Sequence, residues 1–188
     1  MRETMRSFIA VETPQELVAK IEPLLHDLAE LGDLRIVRKE NLHFTLKFLG
    51  DISPEMVEPI RDCMRSVRGM LGFQMRICGF GAFPNARRPR VIWIGSSSEG
   101  DRMVALAKLL DERLHELGFA KERSYIPHLT LARSRTGRGN PGLTQYMERM
   151  REIDIGSMPV DSLVLKKSVL TPQGPIYSDL LRVGPSEE

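Results

Sequence analysis

The sequence predicts an α+β fold assembled from two related blocks, and three observations predict it. The stretch Asn41-Leu42-His43-Phe44-Thr45-Leu46-Lys47-Phe48-Leu49-Gly50 alternates polar and apolar residues through its first half, as a half-buried β-strand does. His43 and Thr45 therefore share one face, and Leu42, Phe44 and Leu46 the other. The same device recurs 85 residues on, in Ile126-Pro127-His128-Leu129-Thr130-Leu131-Ala132-Arg133, where His128 and Thr130 oppose Leu129 and Leu131. Each copy lies in a block of strand, helix and strand patterns, and interspersed elements of this kind read as α+β. With four histidines and seven threonines in 188 residues, about 0.15 of a His-x-Thr is expected by chance. Two copies point to an internal duplication, which would face the motifs across a pseudo-twofold axis and make a cleft with one His on each wall.

Taken in order, Ser7 to Glu12 is strand-like. Thr13-Pro14 then opens a helix, with Thr13 as N-cap, Pro14 at the first helical position and Glu16 early in the turn. Leu17, Ile21, Leu24, Leu25, Leu28 and Leu31 keep helical spacing up to Gly32. His26 falls off that stripe and belongs on the surface. Leu34 to Arg38 forms a short strand before the first His motif. Ser53-Pro54-Glu55 repeats the capping logic for a helix to about Val67. Phe73 to Cys78 alternates as a strand, which Gly79-Phe80-Gly81-Ala82-Phe83-Pro84-Asn85 is expected to break. Val91 to Gly95 is a buried strand with Trp93 in the core. Asp101 to Leu117 is an amphipathic helix closed by Gly118, and His115 near its end suits the helix dipole. After the second motif, residues 137–142 read as a loop and Leu143 to Met150 as a short helix. Strands follow over Arg151–Ile155, Val160–Ser168 and Ile176–Val183, with a turn at Thr171–Pro175 and a loose tail over 184–188. The expected organisation is one domain, residues 1–183, of two intertwined lobes.

Composition sets the outer limits. Hydrophobic residues are 41% and charged residues 28%, an ordinary globular mixture. No uncharged apolar run approaches the roughly 18 residues of a membrane span, and Met1 to Arg6 has no signal-peptide character. The expected location is the cytoplasm, where Cys63 and Cys78 would stay reduced. Net charge is only +2, so the chain as a whole is not a basic nucleic-acid sponge. Charge is instead local, in Arg87-Arg88-Pro89-Arg90 and in Arg133, Arg135 and Arg138. The second group starts in the strand of His128, which favours phosphate contact there over a merely solvated face.

Two facing histidines can divide acid-base work. The unperturbed imidazole titrates at about pH 6.5, so one ring can take a proton from water while the other gives one to a leaving oxygen. Attack at phosphorus with an alkoxide leaving group suits this pair. Thr45 and Thr130 could hydrogen-bond the phosphate oxygens, and Arg133 could clamp them. Position 48, the counterpart of Arg133 in the first copy, is Phe, so the site is asymmetric in charge. Neither motif strand carries an acidic residue on its polar face, and there is no His-Glu-x-x-His, Cys-x-x-Cys or Gly-Lys-Ser/Thr motif. Metal and nucleotide cofactors are therefore not expected.

On these motifs, together with the opening Met5-Arg6-Ser7-Phe8-Ile9-Ala10, the chain resembles the two-histidine (2H) phosphoesterase superfamily over nearly its whole length. Within it, the chain looks like the bacterial and archaeal RNA 2′,3′-cyclic phosphodiesterases, also called LigT-like 2′-5′ RNA ligases. The resemblance implies a bilobal α+β fold with two antiparallel sheets, helices outside and a V-shaped basic cleft. It implies hydrolysis of RNA 2′,3′-cyclic phosphate ends to 2′-phosphomonoesters without a cofactor, and the reverse reaction as 2′-5′ ligation. Carried over by motif, His43 is the proton donor to the 3′-oxygen and His128 the proton acceptor from water. Thr45, Thr130 and Arg133 hold the phosphate. The implied partner is RNA with a cyclic phosphate end, tRNA fragments included, acted on by a monomer away from any membrane. Phe48, Phe80, Phe83 and Tyr125 are candidates to stack on the terminal base, set against ordinary packing roles. Two other readings stay open: a phosphodiesterase for small cyclic nucleotides or ADP-ribose cyclic phosphate, and an RNA-binding module without chemistry.

Overall fold

The two His motifs lie on neighbouring strands at the middle of one antiparallel sheet. The structure, a computed structural model, describes residues 3–97, 100–138 and 140–184. The strands are β1 (Met5–Glu12), β2 (Leu34–Ile36), β3 (His43–Ile52), β4 (Phe73–Phe83), β5 (Val91–Ser96), β6 (Leu129–Ser134), β7 (Asp154–Val160), β8 (Leu163–Thr171) and β9 (Gly174–Val183). Their order among the described residues is β7-β4-β5-β6-β3-β1-β8-β9, with β2 added on β6. Motif strands β3 and β6 meet only at Phe44 opposite Leu129. The two antiparallel sheets implied by the resemblance are thus joined edge to edge at a one-residue seam. Both seam side chains are fully buried, so Phe44→Ala is expected to cost about 3–5 kcal/mol of stability.

Reading outward from that seam, each half repeats one plan. The motif strand comes first (β3 or β6), and the strand that opens its repeat comes second (β1 or β5). The helices α1 (Gln15–Ala29), α2 (Val57–Ser66), α3 (Gly100–Glu116) and α4 (Pro141–Arg149) cover the sheet. They also stitch the halves together: α1 leaves β1 to pack on β2 and β7, and α3 leaves β5 to touch β3. One continuous buried cluster accordingly includes Ile9, Phe44 and Leu165 from one half and Ile77, Ile92 and Leu129 from the other. Driving it is burial of apolar surface, at about 25 cal/mol per Å² removed from water.

Several boundaries differ from the sequence expectation, each for a local reason. The N-cap of α1 is Pro14, not Thr13, whose hydroxyl is buried without a hydrogen-bond partner; the Pro14 carbonyl takes the first bonds from Leu17 and Val18. The helix ends at Ala29, before Gly32. Strand β4 runs on through Gly79-Phe80-Gly81 to Phe83, its register shifting once where Cys78 gives way to Phe80. Helix α4 begins at Pro141 because Asn140 caps it, accepting from Leu143 N–H at 2.8 Å, so residues 141–142 are helix rather than loop. Strand β7 occupies Asp154–Val160 rather than 151–155, paired against Phe73 to Cys78. The tail expected from 184 lies outside the described residues beyond Gly184.

Candidate active site

Strict alternation cannot put a residue five positions after a histidine on the histidine's face. Both motif strands solve this with the same β-bulge. In β3, Thr45 pairs with Ala10 and Lys47 with Ile9, leaving Leu46 as the extra residue. In β6, Thr130 pairs with Trp93 and Ala132 with Ile92, leaving Leu131 as the extra residue. Each strand therefore buries two consecutive residues after its Thr, then exposes the next: Leu46 and Lys47 before Phe48, Leu131 and Ala132 before Arg133. The bulges return Phe48 and Arg133 to the faces of Thr45 and Thr130. Buried Lys47 is not an orphan charge. It pairs with Asp111 at 2.5 Å and donates to the Ala120 carbonyl, fastening the segment that leads into His128.

His43 lies in an apolar setting. Its ring stacks on Phe8 with centroids 4.9 Å apart and meets Tyr177 edge-on at 5.3 Å. Burial pushes its pKa down to about 4, against a hydrogen bond with the Asn41 backbone that favours the charged form. Lys166, then Glu12, act on it in opposite senses. Glu12 is the cross-strand partner of His43 on β1. Burial pushes the Glu12 carboxyl up, but hydrogen bonds from Arg182 and Lys166 outweigh this and hold it below its ordinary value. Lys166 in turn bridges Glu12 and Asp179, each at 2.5 Å. A closed set of four charges thus lies beside the first histidine.

His128 has the same backbone anchor and different company. Its Nδ1 is 2.8 Å from the Ile126 carbonyl, two residues back, as the His43 ring is held by Asn41. A carbonyl only accepts, so Nδ1 carries the proton and Nε2 of the neutral ring is left to accept one. The ring meets Phe83 edge-on at 5.1 Å and Trp93 at 6.5 Å. Burial lowers its pKa, the Ile126 bond opposes this, and the Arg133 cation lowers it further.

The walls enclose a cleft of about 320 Å³ lined by Thr45, Leu46, Phe48, Phe83, Glu122, Ser124, Tyr125, Ile126 and His128. Residues of both motifs thus share one cavity, and the charge of His128 is felt at His43. Thr130 is placed on this side by its pairing with Trp93. Arg133 reaches both walls electrostatically, lowering His128 and also Tyr177, whose pKa burial otherwise raises. The two basic groups of the sequence meet through the backbone, where Ser134 N–H donates to the Arg90 carbonyl, and a further arginine, Arg35, stands opposite Arg133 across β2 and β6. A larger open hollow, about 580 Å³, lies at the far end of β3 against Glu3, Ser53, Pro54 and Glu55. Its two carboxylates make it a poor phosphate site.

Of the five site residues expected from the motifs, Thr45 and His128 line this cleft, His43 and Arg133 are linked to His128 electrostatically, and Thr130 is not among the lining residues. Of the aromatic candidates, Phe48 and Phe83 line it, as does Tyr125, while Phe80 is core, buried against Tyr146. Trp93, expected in the core, is a half-buried wall of the site beside His128. A side chain at Gly81 would stand 2.5 Å from its indole, so glycine there makes room for the ring. Phe8, Tyr177, Glu12 and Lys166 were not foreseen; they come from strands that no local pattern ties to His43. The one available signal was Glu12 ending an otherwise apolar strand.

The family model LigT like Phosphoesterase matches residues 10–93 and again 94–177, one match per His motif. An RNA 2′,3′-cyclic phosphodiesterase of Archaeoglobus fulgidus is 38% identical over 176 residues, 94% of this chain and 98% of that one. A protein of the same name from Methanothermobacter thermautotrophicus is 37% identical over 94% and 96% of the two chains. Among solved structures, TT0787 of Thermus thermophilus superposes with a TM-score of 0.79 at 28% identity, covering 96% of this chain and 97% of that one. E. coli LigT complexed with 3′-AMP gives 0.78 at 25% identity, over 97% and 98%. With both halves matched and the paired His-x-Thr strands facing one cleft, the chain belongs to the LigT-like phosphoesterase family.

Proposed function

We infer that this protein is an RNA 2′,3′-cyclic phosphodiesterase that opens the cyclic phosphate to a 2′-phosphomonoester by paired-histidine catalysis. The observation that carries the reading is the duplicated wall: two neutral imidazoles, each anchored through a backbone carbonyl two residues back, each followed by a Thr and a bulge. Relatives named for this activity share a third or more of the residues along nearly the whole chain.

In the proposed reaction, water is placed in line with the P–O3′ bond. Nε2 of His128 takes a proton from that water as its oxygen attacks phosphorus. The P–O3′ bond breaks, and His43 gives its proton to the departing 3′-oxygen, leaving a 3′-hydroxyl and a 2′-phosphate. Thr45, Thr130 and Arg133 hold the non-bridging oxygens as charge builds on them. The division of roles is supported by unlike neighbours: Glu12 favours an imidazolium at His43, and Arg133 disfavours one at His128. Burial and Lys166 keep His43 neutral in the free protein, so the bound phosphate anion supplies the charge that sustains its proton. With a 5′-hydroxyl in place of water, the reverse path is 2′-5′ ligation.

The test is an oligoribonucleotide ending in a 2′,3′-cyclic phosphate, incubated with chelator present, with the product identified for wild type, His43→Ala and His128→Ala. A 2′-phosphate that appears with wild type and fails with both folded variants is expected. A 3′-phosphate, or full activity in either variant, overturns the scheme. A monomeric, cytoplasmic protein, tRNA fragments as the source of ends, and a single domain over 1–183 remain proposals of the same reading. No described helix is long and apolar enough to cross a membrane. One cooperative unfolding transition and a monomer mass in light scattering are the outcomes that support the single domain and the monomer.

A further inference from the structure

The carbonyl that holds each histidine ring belongs to the residue two before it, and the two copies differ in that residue's side chain. On the second wall it is Ile126, whose side chain is 53% exposed and has no polar atom by which to be tied. On the first wall it is Asn41, which ends a short turn of 3₁₀ helix, Lys39–Asn41. Its amide Nδ2 donates to the Pro175 carbonyl at 3.1 Å, where the turn between β8 and β9 enters β9. Two more side chains of the same approach reach that turn: Arg35 donates to the Pro172 carbonyl and Arg38 to the Gln173 carbonyl, each at 3.4 Å. The turn is itself braced, since the Thr171 hydroxyl donates to the Gly174 carbonyl at 2.6 Å. Two residues after Pro175, Tyr177 meets the His43 ring and Phe8 edge-on, at 5.3 and 4.9 Å. The end of one hairpin thus touches His43 directly through Tyr177 and indirectly through Asn41.

We propose that Asn41 is a positioning residue: tied through its side chain to the β8–β9 turn, it fixes the backbone carbonyl that aims the His43 imidazole. The inference rests on the cyclic phosphodiesterase reading, in which His43 is the acid, and gives the turn over Thr171–Pro175 a part in that chemistry. An acid must deliver its proton to one oxygen, fixed by the sugar ring, over a hydrogen-bond distance of about 2.6–3.2 Å. A base draws its proton from a water that can shift to meet it. The wall that carries the acid is accordingly the one anchored to a second element at the ring's own carbonyl. On the other wall the segment is tied further back, at Ala120 and Glu122. Asn41 acts only through its carbonyl, so its loss weakens proton donation and leaves phosphate binding in place.

The experiment compares wild type with Asn41→Leu and Asn41→Asp, which keep the carbonyl and the side-chain size but cannot donate to Pro175. Values of kcat and KM are measured for adenosine 2′,3′-cyclic phosphate and for its analogue with sulfur in place of the 3′-oxygen. In the analogue the P–S bond breaks and a thiolate leaves, which needs no proton from His43. On the oxygen substrate both variants are expected to lose about 10- to 100-fold in kcat, with KM little changed. On the sulfur substrate the expected loss is about 2-fold or less. Equal losses on the two substrates, or none on either, overturn the proposal. Exchange of the His43 ring N–H with water, followed by proton NMR and identified by its absence in His43→Phe, needs no turnover and is expected to quicken in both variants. If wild type hydrolyses neither substrate yet the exchange quickens, Asn41 still positions His43 and the hydrolase reading falls. If wild type turns over and the variants match it in rate and in exchange, the hydrolase reading stands and the role of Asn41 falls.

Discussion

On the first wall of the cleft, His43 is stacked on Phe8, faces the carboxylate of Glu12 across the strand pair, and looks along its own strand to an exposed phenyl ring at 48. On the second, His128 meets Phe83 and Trp93 edge-on and looks along its strand to a guanidinium at 133. The backbone is the same on both: a histidine held by the residue two before it, a threonine, one bulged leucine, and an outward side chain. The first wall is apolar with its charges tied into Glu12, Lys166, Asp179 and Arg182. The second is open and cationic. Duplication supplies placement, and divergence at the neighbouring positions makes the two walls unlike, since two histidines in like surroundings would titrate alike and nothing would set which of them is the acid and which the base.

The comparison breaks first at the histidines. His43→Ala and His128→Ala are each expected to lower kcat by about 10²–10⁴ with the fold retained. If they act as a pair on one transition state, the double variant falls little further. Additive losses in a single-turnover assay would mean that the walls work independently.

The next effect is on stability and is largest on the first wall, where the lowering of the histidine is large. His43 titrates near its ordinary value, about 6.5, when unfolded and at about 4 when folded. Between those values the unfolded chain binds the extra proton, so stability is complete above about 6.5 and drains away as pH falls toward about 4. The full difference is at most about 3 kcal/mol. His43→Phe keeps a ring against Phe8 and Tyr177 and removes the titration. Its urea midpoint should vary less than the wild type's between pH 7 and 4, and parallel curves would sink the attribution.

Much of this wall-by-wall plan was legible in the sequence. The spacing of His43, Thr45, His128 and Thr130 fixes a face of a strand without any tertiary information. Arg133 was legible only as chemistry, because an odd offset belongs to the opposite face until the bulge at Leu131 is known, and a bulge is set by pairing with β5 rather than by local pattern. The same limit hid Trp93. An apolar run reads as core, and only Gly81 on the neighbouring strand turns its indole into a wall of the site. Glycine was also misread along β4, where a breaker by local propensity is a strand residue because β5 and β7 pair on both sides.

Arg133 sharpens the contrast on the second wall. Losing a charged hydrogen-bond donor to phosphate costs about 1.5–3 kcal/mol, so Arg133→Ala should lower kcat/KM by about 10- to 100-fold, with part recovered in Arg133→Lys. The same change removes the cation that depresses His128, so the alkaline limb of the pH profile should move up. A rate loss with an unmoved limb would place Arg133 at the phosphate alone.

The smallest effect is the most diagnostic of unlike walls. The proposed scheme requires a free enzyme with His43 protonated and His128 neutral, yet burial holds His43 at about 4 and lowers His128 from its ordinary value. That form is a minor one, most populated between the two pKa values. The profile of kcat/KM should therefore be a bell on the acid side of neutrality, with its alkaline limb below about 6.5. A bound cyclic phosphate carries one negative charge, which favours an imidazolium most strongly at His43, where desolvation is greatest. The kcat profile, which reports the complex, should then lie at least about one unit higher. Pre-steady-state rates from pH 4 to 9 separate the two. Coincident profiles would mean that substrate charge does not reach His43, and the proton donor would then have to be sought on the other wall.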